Sequence, residues 1–296
     1  MTSKILILGR RPGQVASELE KLGPPQGFEL EFSGPDRLDL MSADPGVLVR
    51  EVRPAAVINA AAYTAVDKAE SQPEAAFRLN RDVPAELARA CAKAGIPLVH
   101  YSTDYVFDGT KPEPYVETDP VNPTGVYGAS KAAGEAEVMA AGGAAIILRT
   151  SWVYSAVGAN FVKTMLRLAR DRDEIGVVAD QVGRPTWAED CARGALRAVQ
   201  AMLGGEVKGP ELFHLAGSGD ASWADFAEAI FQESAARDGP SARVKPIATA
   251  DYPTPARRPA NSRLDCARIT GALGFQPRPW RSGLKACFEE LETLAS

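Results

Sequence analysis

Tyr127 and Lys131 lie four residues apart in the stretch Tyr127-Gly128-Ala129-Ser130-Lys131, so on a helix they share one face. A free phenol titrates near pH 10 and at neutral pH holds its proton too firmly to exchange it readily. A neighbouring ammonium favours the phenolate. Bringing the phenol down to about pH 7 takes about 4 kcal/mol, the size of effect a close, partly buried charge can supply. Thr103, in Ser102-Thr103-Asp104-Tyr105, adds a hydroxyl that would orient a carbonyl oxygen against the phenol. Phenol, ammonium and hydroxyl together make a proton-transfer site suited to carbonyl chemistry. A Tyr-x-x-x-Lys pair is common on helix surfaces, so the rest of the chain must bring these groups together.

The first half of the chain alternates strand and helix patterns. Lys4 to Leu8 reads as a buried strand ending at Gly9, with a helix beginning at Gly13. The turn Gly9-Arg10-Arg11-Pro12-Gly13-Gln14-Val15-Ala16 is one residue longer between its first glycines than the dinucleotide fingerprint and ends on alanine. Such a turn places phosphates on a helix N-terminus, and Arg10-Arg11 suit a phosphate-rich ligand. The next strand, Phe28 to Phe32, ends at Ser33-Gly34-Pro35-Asp36-Arg37 with no acid at its tip. An acid there would hold the ribose 2'-hydroxyl of NAD, so its absence, with Arg37 near, points to NADPH. Asp39-Leu40 would then lie near the adenine.

A third strand, Ala55 to Asn59, leads into the small-residue run Ala60-Ala61-Ala62-Tyr63-Thr64, which leaves room for a ligand. Pro73 to Ala94 reads as one long amphipathic helix with Asn80 as a polar residue within it. Ile96 to Tyr101 forms a fourth strand that delivers Ser102-Thr103-Asp104 at its carboxyl end, where ligands sit in open parallel sheets. Gly109 to Pro123, with four prolines, is a loop that could cover the pocket, and Ala145 to Arg149 is a fifth strand ending in Thr150-Ser151-Trp152-Val153-Tyr154. This order implies a Rossmann-like, doubly wound parallel sheet.

Beyond Tyr154 the alternation is less regular. Helices are expected at Phe161 to Arg170, Glu189 to Met202, Trp223 to Ala236 and Gly283 to Leu294, and short strands at Ile175 to Val178 and Leu212 to Leu215. The loop Tyr252 to Arg263, rich in proline, carries arginines and Asn261 that could grip a diphosphate. The expected organisation is a nucleotide-binding α/β domain over residues 1–150 plus about 175–216. A smaller α/β substrate domain would take about 151–174 and 217–296.

Composition narrows the classes. A chain of 296 residues, 45% hydrophobic and 24% charged, can bury a sizeable core. A net charge of -5 with scattered basic residues argues against nucleic acid. Cys91, Cys191, Cys266 and Cys287 have no Cys-x-x-Cys spacing and read as reduced packing residues. The two histidines, His100 and His214, sit in apolar runs and read as core residues, which argues against a histidine metal site or a Ser/His triad. The N-terminal apolar run is too short for a signal-peptide core and no run is long enough to span a membrane, so a cytoplasmic protein without membrane partners is expected.

Thr103, Tyr127 and Lys131 behind a glycine loop resemble the catalytic triad of the extended short-chain dehydrogenase/reductases. Longer runs are similar to the dTDP-4-dehydrorhamnose reductase family: Asn59 to Glu70, Ser102 to Phe107, Arg149 to Tyr154, Asn160-Phe161 and the Tyr252 to Asp265 loop. The resemblance implies NADPH, with NADH as an alternative, held by Gly9, Gly13, Gln14, Val15, Asp39, Leu40, Ala61, Ala62, Tyr63, Thr64, Tyr127 and Lys131. It implies a nucleotide-sugar substrate touched by Thr103, Asp104 and Trp152, the last offering an apolar face to the 6-deoxy carbon. The implied reaction is reduction of the C4 keto group of dTDP-4-dehydro-L-rhamnose, a step toward cell-surface polysaccharide. Some relatives use magnesium at an acidic dimer contact, for which no ligands are assigned here, so a monomer or a homodimer is expected. On the same fold, dehydratases carry an acidic pair after the threonine, but Asp104 is followed by Tyr105. A reductase-epimerase acting on another nucleotide-linked keto sugar, and a non-catalytic NADP-binding regulatory subunit, are the alternatives.

Overall fold

A computed structural model describes residues 2–9 and 12–295. Arg10 and Arg11, and with them the middle of the glycine turn, lie outside the described residues. Continuous apolar runs build the inner strands of a sheet covered on both faces, with the alternating β2 at one edge. Its strands are β1 (Ser3–Leu8), β2 (Phe28–Ser33), β3 (Ala56–Asn59), β4 (Leu98–Thr103), β5 (Ala145–Thr150) and a last strand, Pro210–His214. Across the sheet they lie in the order Pro210–His214, β5, β4, β3, β1, β2, all parallel. The chain leaves β1 toward β2 and returns to β3 on the other side. That reversal opens a crevice at the carboxyl ends of β1 and β3.

Alternate side chains of each strand supply the two faces. Ile5, Ile7, Ile58, Ile146 and Leu148 pack with Ala192, Ala195, Ala198 and Val199 of the helix Ala188–Leu203. Leu6, Leu8, Val57, Leu98 and Ile147 pack on the opposite face with Val83, Leu87, Ala88, Cys91 and Val138. The result is the doubly wound α/β sheet expected. A second core gathers Tyr154, Trp187, Phe226, Ile230, Trp280 and Leu284 from the later part of the chain.

Two elements differ from the sequence reading. The helix expected over Pro73 to Ala94 is three pieces: Pro73–Phe77, a π-helical turn Arg78–Asp82, and Val83–Ala94. Pro84 has no N–H to return to the Asn80 carbonyl four residues back, so the regular ladder gives way to the wider turn there. The strand found at Glu174–Val178 pairs with Arg243–Ile247, outside the six-stranded sheet. The helix Ala188–Leu203 and the strand Pro210–His214, by contrast, belong to that sheet's layers. Among the described residues no helix is long and apolar enough to cross a membrane.

Candidate active site

The helix Val126–Ala141 begins after the extended Gly125 and lies flush against two other segments because it carries glycines there. A Cβ on Gly128 would stand 2.1 Å from the Tyr105 carbonyl oxygen, and one on Gly134 would stand 1.9 Å from the Asn80 carbonyl oxygen. The first approach sets Tyr127 beside the end of β4, where the Tyr105 and Tyr127 rings meet edge to face at 5.5 Å. The second seats the helix on the π turn. Asn80, fully buried, donates to Ser130 Oγ and to the Tyr63 carbonyl at 3.0 Å and accepts from the Tyr63 N–H at 2.9 Å. The residue singled out only as polar thus ties the helix to the Ala60–Thr64 run.

Thr103, Tyr127 and Lys131 are brought to one place. Thr103 Oγ1 donates to Asp104 Oδ1 at 3.0 Å and accepts from the Tyr105 N–H at 3.2 Å. Thr103 is also the hydrogen-bonding neighbour of the Tyr127 phenol. Burial is the largest influence on that phenol and raises its pKa, Asp104 and Tyr105 add to the rise, and Thr103 acts against it. The expectation that Lys131 draws the phenol toward neutrality is not met in this arrangement, because the ammonium turns elsewhere. Lys131 Nζ donates to the Tyr101 carbonyl and lies 3.4 Å from His100 Nε2. Burial pulls its pKa down to about 8. Glu135, one helical turn on, is bound through both oxygens by Arg149 at 2.8 and 2.6 Å. Asp104, 3% exposed, is pushed up to about 6 by burial, against hydrogen bonds from Ser262 and Thr103.

The crevice can take a dinucleotide. Gly13 caps the helix Gln14–Leu22, whose first amides face the β1–β3 crevice. A Cβ on Gly9 would lie 3.4 Å from that of Ala60 and 3.5 Å from that of Ala16, so the alanine ending the turn keeps helix and strand close. Gln14 Oε1 is a buried acceptor with no protein partner, and Ser102 Oγ at the end of β4 is another. Ala61 is anchored by its N–H to Asn59 Oδ1 at 3.2 Å, Tyr63 by Asn80, and the Tyr63 hydroxyl donates to Gln72 at 2.8 Å. Val15 packs against the sheet core and Leu40 against the opposite cluster. Asp39 is exposed and accepts from the Met41 N–H and the Ser42 hydroxyl, while Arg78 holds the Leu40 and Ala43 carbonyls of that turn. Arg37, expected near a 2'-phosphate, is engaged by Glu31, which also meets Lys4 at 2.8 Å.

Just past the carboxyl end of β5, Trp152 adopts a φ of 49°, rare for a large side chain, and stacks on Trp223 at 3.5 Å with an interplanar angle of 10°. Trp223 was not singled out by the sequence reading, since nothing local marks it as Trp152's partner. Asn261 does not offer itself to a diphosphate. Its amide donates to the Lys111 and Glu113 carbonyls at 2.6 and 2.8 Å, and its oxygen accepts from Arg263. It pins the proline-rich 109–123 loop to the 252–263 loop, and two of the three loop arginines are likewise taken up, Arg258 by Asp67 at 2.7 Å and Arg263 by Asp220 at 3.2 Å, while Arg257 is exposed. Among the described residues no group of three or more His, Cys, Asp or Glu could hold a metal ion.

The family model described as RmlD substrate binding domain matches residues 3–293. A dTDP-4-dehydrorhamnose reductase of Sinorhizobium fredii is 44% identical over 286 residues, 95% of each chain. A solved dTDP-4-dehydrorhamnose reductase from Clostridium acetobutylicum is 37% identical with a TM-score of 0.89, covering 98% of this chain and 99% of that one. Another, from Bacillus anthracis in complex with NADP, is 35% identical with a TM-score of 0.89, covering 98% of this chain and 100% of that one. The chain belongs to the dTDP-4-dehydrorhamnose reductase family.

Proposed function

We propose that the protein reduces the C4 keto group of dTDP-4-dehydro-L-rhamnose with NADPH, giving dTDP-L-rhamnose. The observation that carries this reading is the placing of the Tyr127 phenol beside Thr103, one helical turn from Lys131, in a chain whose relatives bear that activity by name. A relative solved with NADP supports a nicotinamide cofactor. The preference for NADPH rests on the tip of β2, where Ser33-Gly34 stand in place of an acid and Arg37 lies near.

The dinucleotide would lie along the β1–β3 crevice, against Gly9, Gly13, Gln14 and Val15, past Asp39 and Leu40, and along Ala61 to Thr64. The later core, with Trp152 and Trp223, would take the sugar nucleotide. Bound NADPH supplies the hydride to C4. Tyr127 gives its proton to the C4 oxygen as the alkoxide develops, and burial keeps the phenol in the protonated form that a reduction needs. Thr103 turns its proton from Asp104 to the same oxygen, and Lys131 holds the nicotinamide ribose.

The test is to mix the protein with NADPH and dTDP-4-dehydro-L-rhamnose and follow the absorbance of the reduced nicotinamide. Oxidation that depends on the sugar, with dTDP-L-rhamnose as product, is expected. Tight NADPH binding without oxidation would reject this substrate.

A further inference from the structure

Asn59 and His100 are direct neighbours across the β3–β4 pair and both are 1% exposed. The orientation of the Asn59 amide is set by the backbone, because its oxygen accepts the Ala61 N–H at 3.2 Å. Its NH2 therefore faces His100 Nδ1, at 3.1 Å. An amide NH2 only donates, so Nδ1 must accept. Burial holds the ring neutral, and a neutral imidazole with a bare Nδ1 carries its proton on Nε2. That N–H points at Lys131 Nζ, 3.4 Å away. An ammonium has three donors and no lone pair, so donor would face donor. An amine relieves the conflict by accepting the Nε2–H.

We propose that Asn59 and His100 are positioning residues for Lys131: Asn59 fixes the tautomer of His100, and the Nε2–H so placed favours the amine of Lys131 over its ammonium. Burial works in the same direction. Among the other groups around Lys131, Glu135 on its own helix opposes it by raising the lysine pKa, while Arg149 from β5 holds that carboxylate through both oxygens. Tyr127 on the same helix is held protonated. From β4, the Tyr101 phenol is spent on the Cys191 carbonyl, and beyond the strand Asp104 is turned to Thr103. On the π turn, Arg81 and Asp82 pair with each other at 2.6 Å. The role of Lys131 at the cofactor belongs to the function proposed above, whereas the tautomer does not depend on it.

The sequence holds two histidines, which makes the tautomer directly readable. His214 Nδ1 lies 3.1 Å from the Tyr115 carbonyl, an acceptor only, so His214 must carry its proton on Nδ1 and serves as an internal reference of opposite kind. Nitrogen-15 NMR of histidine-labelled protein at neutral pH, with His214→Gln to assign the rings, should give one Nε2–H and one Nδ1–H imidazole. Two Nδ1–H rings would overturn the proposal. Two variants then test the consequence. Asn59→Asp accepts a hydrogen bond only from an Nδ1–H, which leaves a bare Nε2 facing Lys131, and His100→Gln offers an amide oxygen there without adding charge. NADPH affinity is followed against pH in the parent and in both variants, and its alkaline loss, where Lys131 gives up its proton, should set in about one pH unit or more higher in both variants than in the parent. A move in Asn59→Asp alone would assign the effect to the new carboxylate and overturn the proposal, as would no move in either. Correct tautomers in a chain without reductase activity would reject the proposed function and leave this inference standing.

Discussion

The Cα of Gly128 faces the Tyr105 carbonyl so closely that a methyl group there would lie 2.1 Å from the oxygen. The contact is backbone against backbone, so no side chain can swing aside to relieve it. Gly128→Ala should therefore push the start of the helix Val126–Ala141 off the end of β4 and carry Tyr127 with it. We expect a loss of about 1–3 kcal/mol of stability and a loss of turnover of about tenfold or more. Denaturant titration and steady-state rates check both. Unchanged turnover would mean that the exact seat of this helix is not what places the phenol.

Tyr127→Phe separates the acid from the fold. The phenol has Thr103 as its hydrogen-bonding neighbour and is held protonated by burial, so removing one oxygen leaves the surrounding packing in place. NADPH affinity should persist while turnover falls by a factor on the order of 10² or more. Near-normal turnover in this variant would remove Tyr127 as the proton donor.

The sheet was legible because its inner strands are apolar runs and its edge strand β2 alternates apolar with polar residues, and Thr103, Tyr127 and Lys131 because their types and spacing are themselves the signal. The π turn was also written in the chain, in Pro84 four residues after Asn80, but a regular stripe of apolar residues hid it. Asn59 and His100 were read as strand residues because their pairing joins positions far apart in sequence. An apolar context marks burial without naming the partner. Arg243–Ile247 went unnoticed as a strand since it is half exposed, contains a proline and pairs on an edge. Asn261 had the right chemistry for a ligand, but both ends of its amide serve loop carbonyls and a neighbouring arginine, which only tertiary contacts reveal.

Asp104 makes stability depend on pH in a defined direction. Burial raises its pKa to about 6 in the fold, against about 3.9 in an unfolded chain. The native state therefore binds this proton more tightly. The cost of ionising it is absent below about pH 4, grows between about 4 and 6, and is complete above 6, where it amounts to about 3 kcal/mol. Asp104→Asn keeps an acceptor for Thr103 and carries no charge to bury. Its Tm should exceed that of the parent at pH 7.5, and the difference should vanish near pH 4. A difference independent of pH would show that Asp104 does not titrate as its burial requires.

Gly183 leaves room for Trp152. A Cβ there would lie 2.4 to 2.8 Å from three atoms of the indole, while the ring's other side is closed by Trp223 at 3.5 Å. Gly183→Ala must then slide the indole out of its stack, and the left-handed φ of Trp152 leaves its backbone little freedom to follow. If this indole forms the wall against the sugar, KM for the sugar nucleotide should rise about tenfold, the scale of one apolar pocket contact. NADPH affinity should stay unchanged, because the cofactor crevice lies at the ends of β1 and β3. Near-UV circular dichroism reports independently whether the Trp152–Trp223 stack has opened. An opened stack with an unchanged KM would remove Trp152 from the sugar site, whereas equal weakening of sugar and NADPH would point to damage reaching the sheet.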